Sequence, residues 1–116
     1  MSILEIIGKK LKVAGHYYKT FYDDKYLNKR VILGQCDYIT HKIRVAKYWK
    51  PTKEDKGKMR AKTDIERTVY HEIVHAIDGI YNHYTLTEKE VDRLSTGLHQ
   101  VMSDNFIVKV KKTKGY

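Results

Sequence analysis

TDIERTVYHEIVHAID, residues 63–78, is the stretch whose reading decides the fold. Its apolar positions Ile65, Val69, Ile73 and Ala76, continued by Ile80, recur at three- and four-residue intervals, the spacing of one buried helix face. Thr63 offers a hydroxyl as N-cap and Glu66 a carboxylate three residues on, so a capping box is expected to open the helix. Asp78-Gly79, or a point within one turn beyond it, is the expected end, because glycine readily takes the left-handed conformation that closes a helix.

Within this helix His71-Glu72-Ile73-Val74-His75 spells HExxH. Two helical histidines four apart differ by about 40° in azimuth and about 6 Å in rise, so both imidazoles can close on one ion. Glu72 then lies beside that ion, placed to take a proton from water rather than to ligate. The bland reading makes His71 and His75 ordinary helix residues and Glu72 a surface charge. Capping, amphipathicity and the helix that follows weigh against it.

A catalytic metal needs a third protein ligand. The continuation HExxHxxGxxH fails twice, with Asp78 at the glycine and Tyr81 at the histidine. His83 lies eight residues past His75, about 12 Å along and about 80° round a continued helix. A second amphipathic helix is a better source. Thr87-Glu88-Lys89-Glu90 opens it with a capping-box pattern, and Val91, Leu94, Leu98, Val101 and Met102 carry it on. Glu88 precedes Asp92 by one turn on the same face, so Glu88 can ligate while Asp92 accepts the free N–H of a ligand histidine. Glu90 points about 200° away. Glu90 and Asp92 stand as alternative ligands, and acidic residues at a helix start also simply favour its positive end.

Residues 63–105, TDIERTVYHEIVHAID followed by TEKEVDRLSTGLHQVMSDN, resemble the small phage-encoded and mobile-element metallopeptidases related to the ImmA/IrrE group of gluzincin-like enzymes. Glu88, Val91 and Asp92 match that group's pattern of a glutamate, two residues, a small apolar residue, then Asn or Asp. KKLKVAGHYYKTFY (residues 9–22) and LGQCDYITHKIRVAKY (33–48) resemble more loosely the paired strands that precede its metal helix. The chain departs from the group in its short His75-to-Glu88 connection and in Leu94-Ser95, where larger relatives have Phe-Ala. The resemblance implies Zn²⁺ held by His71, His75 and Glu88, with Glu72 as catalytic base. It also implies peptide hydrolysis, with a repressor-type regulator of the same mobile element as a candidate target.

Upstream, residues 9–13 and 17–22 read as strands around Gly15, and 31–39 and 42–48 as a second pair joined through Thr40-His41. The expectation is an α+β fold, a small antiparallel sheet of three to four strands packed on two helices, a minimal zincin-like core. One domain spans 1–116: mainly strands over 1–48, a basic loop over 49–62, two metal-bearing helices over 63–105 and a basic tail over 106–116. In gluzincin-like proteases a sheet edge takes the substrate as an added strand. Residues 42–48 directly precede the metal helix and are the expected edge, the alternative being a paired inner strand. The 49–62 loop can arch over the cleft, and 106–110 can form a last strand or fray. Tyr81 and Tyr84, between the two helices, are candidates to stabilise an oxyanion or to fill the core.

Lysine and arginine number 23 against 14 acidic residues, a net charge of +9. That charge fits acidic substrates, weak salt-sensitive contact with nucleic acid, or solubility alone. No DNA-binding motif emerges, so sequence-specific reading is not expected. Cys36 has no partner for an internal disulfide, and no apolar run is long enough for a membrane span or signal segment. These features fit a reducing bacterial cytoplasm, with oligomeric state open. Two other functions remain at this stage. One is a SprT-like protease of DNA-bound proteins, which expects a third histidine. The other is a non-enzymatic phage accessory or nucleic-acid-binding protein with a structural or vestigial metal site.

Overall fold

The computed structural model describes residues 2–49 and 57–107. Strand β1 (Lys10–Val13) turns into β2 (His16–Tyr22) through Ala14-Gly15, both at positive φ (50° and 85°). Positive φ at both central residues is the geometry that a two-residue hairpin demands. Helix α1 (Asp24–Arg30) follows, capped by the Asp23 carboxylate, which accepts from the Tyr26 N–H. Strands β3 (Gly34–Asp37) and β4 (Lys42–Val45) form the second hairpin. Its turn is held by the Asp37 carboxylate, which accepts from the N–H groups of Ile39 and Thr40 at 3.0 and 3.1 Å.

The sheet order is β1-β2-β4-β3. Two pairings are antiparallel, but β2 and β4 run parallel, with Thr20 opposite Ile43 and Tyr22 opposite Val45. The α+β class holds. The sheet is mixed rather than wholly antiparallel, because α1 carries the chain back across one end before β3 and β4 are laid down. That helix was not anticipated, although Asp23 as N-cap and Lys29-Arg30 in the last turn are ordinary helix signals. The sheet order also corrects the expected substrate edge. β4 is an inner strand paired on both sides, which is the alternative reading of that segment; the edge strands are β1 and β3, and β3 is the one beside α2.

Helix α2 (Lys62–Tyr81) lies on the inner face of the sheet. Ile65, Val69 and Ala76 are buried with Val13, Tyr18, Ile43 and Val45, while Ile73, Ile80, Cys36 and the N-terminal turn Ile3–Ile6 pack around them. The expected apolar stripe is thus the core face, each fully buried Val or Ile contributing about 2 kcal/mol. Its start differs from expectation. Ala61 occupies the N-cap position without a side-chain bond, and Thr63 lies inside the first turn. Glu66 does not close a capping box because it faces inward, toward Ser2 and His99. α2 ends at Tyr81, within one turn of Asp78-Gly79 as expected; Gly79 lies inside it, where a Cβ would sit 2.7 Å from the Tyr84 ring and 2.8 Å from that of Tyr38.

Helix α3 (Glu88–Met102) opens with the expected capping box: Thr87 accepts from the Glu90 N–H, and the Glu90 carboxylate accepts from the Thr87 N–H. It packs on α2 through Val91, Ser95 and His99, while Leu94 and Val101, expected on the apolar face, are exposed. His99 is turned inward to the Glu66 carboxylate of α2, and the Ser95 hydroxyl donates to the Asp92 carbonyl of its own helix. A π-helical turn, Ser103–Ile107, follows, so Phe106 is helical rather than the start of a strand. Residues 50–56 of the basic loop and 108–116 of the tail lie outside the described residues. No helix among the described residues is long and apolar enough to cross a membrane.

Candidate metal centre

Helix α2 presents His71 and His75 on the side adjoining its core face, and the first turn of α3 brings Glu88 to meet them. His71 Nε2 lies 2.6 Å from Glu88 Oε1, and His75 Nε2 lies 3.2 Å from Glu88 Oε2 and 3.1 Å from His71 Nε2. One donor atom from each of the three residues falls within 4.8 Å of the other two. The other nitrogen of His71, Nδ1, faces Asp92 Oδ1 at 3.5 Å. The structure thus brings together the residues that the sequence nominates as ligands, His71, His75 and Glu88, with Asp92 beside them. Glu90 is committed to the helix cap, and His83 is exposed in a turn outside the cluster, at φ 52°.

Donor atoms of two imidazoles and a carboxylate thus lie close enough together to hold one ion between them. His71 faces a carboxylate from each ring nitrogen, Glu88 at Nε2 and Asp92 at Nδ1, and which nitrogen donates depends on its tautomer. The donor set of two imidazoles and a carboxylate is that of an open, four-coordinate zinc centre. The two histidines reach different oxygens of the carboxylate, His71 to Oε1 and His75 to Oε2, with the two imidazole nitrogens 3.1 Å apart. Burial pushes the Glu88 carboxyl upward, but its hydrogen bond to His71 and the charges of both histidines outweigh that and hold it below the ordinary carboxylate value.

Glu72, one residue after His71, is 5 % exposed and lines the same cleft. It makes no hydrogen bond to a described side chain, and burial together with the Glu88 charge pushes its carboxyl up to about 8. An unpartnered carboxyl facing a cleft beside a metal-competent cluster is free to exchange a proton with whatever occupies that cleft.

The opposite wall is the edge strand. Among the described residues β3 pairs only with β4, and at Gly34 its backbone comes up against Thr68 and Glu72 of α2. A Cβ at Gly34 would lie 2.6 Å from Thr68 Cγ2 and 2.7 Å from Glu72 Oε2, so only glycine lets the strand ride this close over Glu72. Gln35, Cys36 and Tyr38 continue the wall, and Val31, Ile32 and Leu33 extend it upstream. The Cys36 thiol is pushed up to about 12, first by burial and then by the charges of Glu72 and Asp37, which keeps it neutral. A neutral thiol is neither a nucleophile nor a ligand.

The tyrosine expectations are corrected. Tyr81 and Tyr84 do not line the cleft; Tyr81 is exposed, and Tyr84 stacks edge-on against Tyr38 at 4.8 Å between ring centres. Tyr38 is the tyrosine at the cleft, and its hydroxyl donates to the His75 carbonyl at 3.2 Å. Burial raises the affinity of that phenol for its proton. Arg60, read from sequence as part of a loop charge run, is also buried at the cleft. Its guanidinium donates to the carbonyls of Ala46 and Asp64 and to the Thr68 hydroxyl, leaving Nε without a partner. Nothing in the local sequence marks Arg60 or Tyr38, because both reach the site through tertiary packing. No protein-family model matches the chain, and neither does any curated protein or solved structure.

Proposed function

We propose that the protein is a zinc-dependent peptidase of the HExxH-plus-glutamate type, like the ImmA/IrrE-related enzymes its motifs resemble. The observation that carries this reading is the convergence of ligand-competent atoms of His71, His75 and Glu88 beside Glu72, opposite the edge of β3 that no described residue pairs. Zinc, when bound, supplies Lewis acidity to the scissile carbonyl and to the attacking water. Glu72 takes the proton of that water and delivers it to the leaving amine. Asp92 fixes the His71 ring so that Nε2 faces inward. The unpaired edge of β3 accepts an extended peptide by main-chain hydrogen bonds, and Val31, Ile32 and Leu33 offer its side chains apolar contact.

The substrate class is a protein or peptide, and the resemblance nominates a repressor-type regulator of a phage or mobile element in a bacterial cytoplasm. The reading with a third histidine draws no support from His83, which stands outside the cluster. Metal analysis of purified wild type beside His71→Ala is the direct test. About one zinc per chain in wild type and none in the variant is expected. A wild-type protein that takes up no zinc at micromolar concentration would overturn the proposal. A Glu72→Gln variant that keeps its zinc then serves as a trap for the uncleaved substrate.

A further inference from the structure

The face of the sheet turned away from α2 is chemically unlike the face that builds the core. Alternation sends Leu11, Val13, Tyr18, Thr20, Ile43 and Val45 inward. It leaves Lys10, Lys12, Tyr17, Lys19, Phe21 and Lys42 on the outer face. Register then aligns the charges. Lys10 stands opposite Lys19 and Lys19 opposite Lys42, a row of three ammonium groups crossing β1, β2 and β4. Neighbouring strands are about 4.8 Å apart, and like charges directly opposite destabilise a sheet.

Among the described residues, none of these lysines has a carboxylate within ion-pair distance. Asp37, opposite Lys42 in register, is instead engaged by Arg44 at 3.8 Å and by its own turn. Arg44 is also paired with Asp23 and covered by Tyr26 of α1. The open, uncompensated part of the face is therefore the lysine row. Its aromatic neighbours are Tyr17, 58 % exposed with the Lys12 ammonium 5.4 Å from the ring centre, and the half-buried Phe21, with that of Lys19 at 5.5 Å. The two rings stand four residues apart on one strand, about 13 Å.

We propose that this outer sheet face binds single-stranded nucleic acid, with the Lys10–Lys19–Lys42 row on phosphates and Tyr17 and Phe21 stacking bases. A like-charge row that the fold does not neutralise is complementary to a polyanion, and flat sheets bearing aromatic rings suit unstacked bases. Among the described residues no strand or helix of this face stands out from it to enter a duplex groove, and an acidic peptide would offer the rings no base to stack on. The face lies across the sheet from the candidate metal cleft, so a bound strand leaves the cleft open. This inference does not depend on the peptidase reading.

Fluorescence anisotropy with a labelled twelve-nucleotide oligothymidylate, compared with a duplex of equal length, tests it. Micromolar binding at low salt is expected, at least threefold tighter for the single strand. Three phosphate contacts predict a log–log salt slope of about −2. Combined Lys10→Gln, Lys19→Gln and Lys42→Gln should weaken binding at least tenfold and flatten the slope. Thermal stability should be unchanged or raised, because repulsion is relieved. Lys19→Gln alone, which removes the centre of the row, gives a smaller loss of about threefold without threatening the fold. Tyr17→Ala should weaken the single strand while sparing the duplex. The proposal is overturned by equal or tighter duplex binding, or by triple-variant affinity equal to wild type, which would move binding to the basic segments elsewhere. It is equally overturned by a preference for polyglutamate or for anionic phosphatidylserine vesicles over the oligonucleotide.

Discussion

Among the described residues histidines and glutamates join α2 to α3 in two places, and the two differ in almost everything but composition. His71 and Glu88 meet at the mouth of the cleft, with Glu88 72 % exposed, a second imidazole at 3.1 Å and an unpartnered carboxyl next in sequence. His99 and Glu66 meet between the helices at 3.1 Å, each 9 % exposed, with Ser2 donating to the other Glu66 oxygen and Ser103 near His99 at 3.5 Å. The inner pair is buried, and both oxygens of its carboxylate are taken, one by Ser2 and one by His99, which makes it a tie between three segments of chain. The outer pair, with His75, brings three atoms able to hold an ion to one accessible point. Residue identity does not separate a candidate ligand set from a structural tie; convergence and access do.

The largest effects should come from exchanging the roles of the two pairs by substitution. Glu72→Gln is expected to retain zinc and lower peptide hydrolysis 10²–10⁴-fold, the range of a general base. Glu88→Ala should remove zinc while leaving the circular dichroism spectrum and melting temperature of the metal-free protein nearly unchanged. Glu66→Ala should do the reverse, keeping stoichiometric zinc in whatever fraction folds and costing about 3 kcal/mol in urea denaturation, since it orphans a buried partner. Zinc loss in the Glu66 variant under folded conditions would break the contrast.

Acidity should separate the pairs as well. Burial works against the Glu66 carboxylate, but its hydrogen bonds from Ser2 and His99 and the charges of His99 and Lys62 outweigh that and depress its proton affinity. A carboxyl lowered on folding contributes stability above its unfolded value, about 4.3, and loses it as pH falls through the lower folded value. Wild type should therefore destabilise below about pH 4.3, whereas Glu66→Gln, weaker by about 2 kcal/mol at neutral pH, should show a flatter acid limb. Parallel acid limbs in urea titrations of the two proteins would show that the inner tie is not ionic.

Much of this contrast was legible before the fold. The HExxH spacing, the Glu88–Asp92 turn and the Thr87 capping box are local, fixed by 3.6-residue periodicity, and each stands where that periodicity puts it. Glu66 was misread because a Thr-x-x-Glu pattern looks the same whether the carboxylate turns back to the helix start or inward to a distant histidine. His99 and Ser2 lie 33 and 64 residues from Glu66, beyond any local pattern. The substrate edge was misplaced for a related reason. Strand order depends on how α1 turns the chain, and proximity in sequence to the metal helix does not reveal which strand keeps a free edge. Gly34 was the available clue, since glycine inside a strand marks a close approach of backbone to something else.

Smaller predictions test the outer partner of each pair. Asp92→Asn keeps the shape of the group facing His71 Nδ1 but removes its charge, so it should weaken zinc affinity by 10–100-fold in chelator competition without altering the melt. Ser2→Ala acts on the inner pair alone. Its hydroxyl donates to Glu66 and accepts from the Leu4 N–H, capping the first turn, so its loss should cost about 1 kcal/mol of stability. Zinc affinity should be untouched, because Glu66 lies on the α3-facing side of α2 and none of its bonds reaches His71, His75 or Glu88. The two variants form a crossed pair, one moving affinity without stability and the other stability without affinity. If Ser2→Ala shifts zinc affinity as much as Asp92→Asn does, the two clusters communicate through the α2–α3 packing, and the inner tie would have to be counted as part of the metal site.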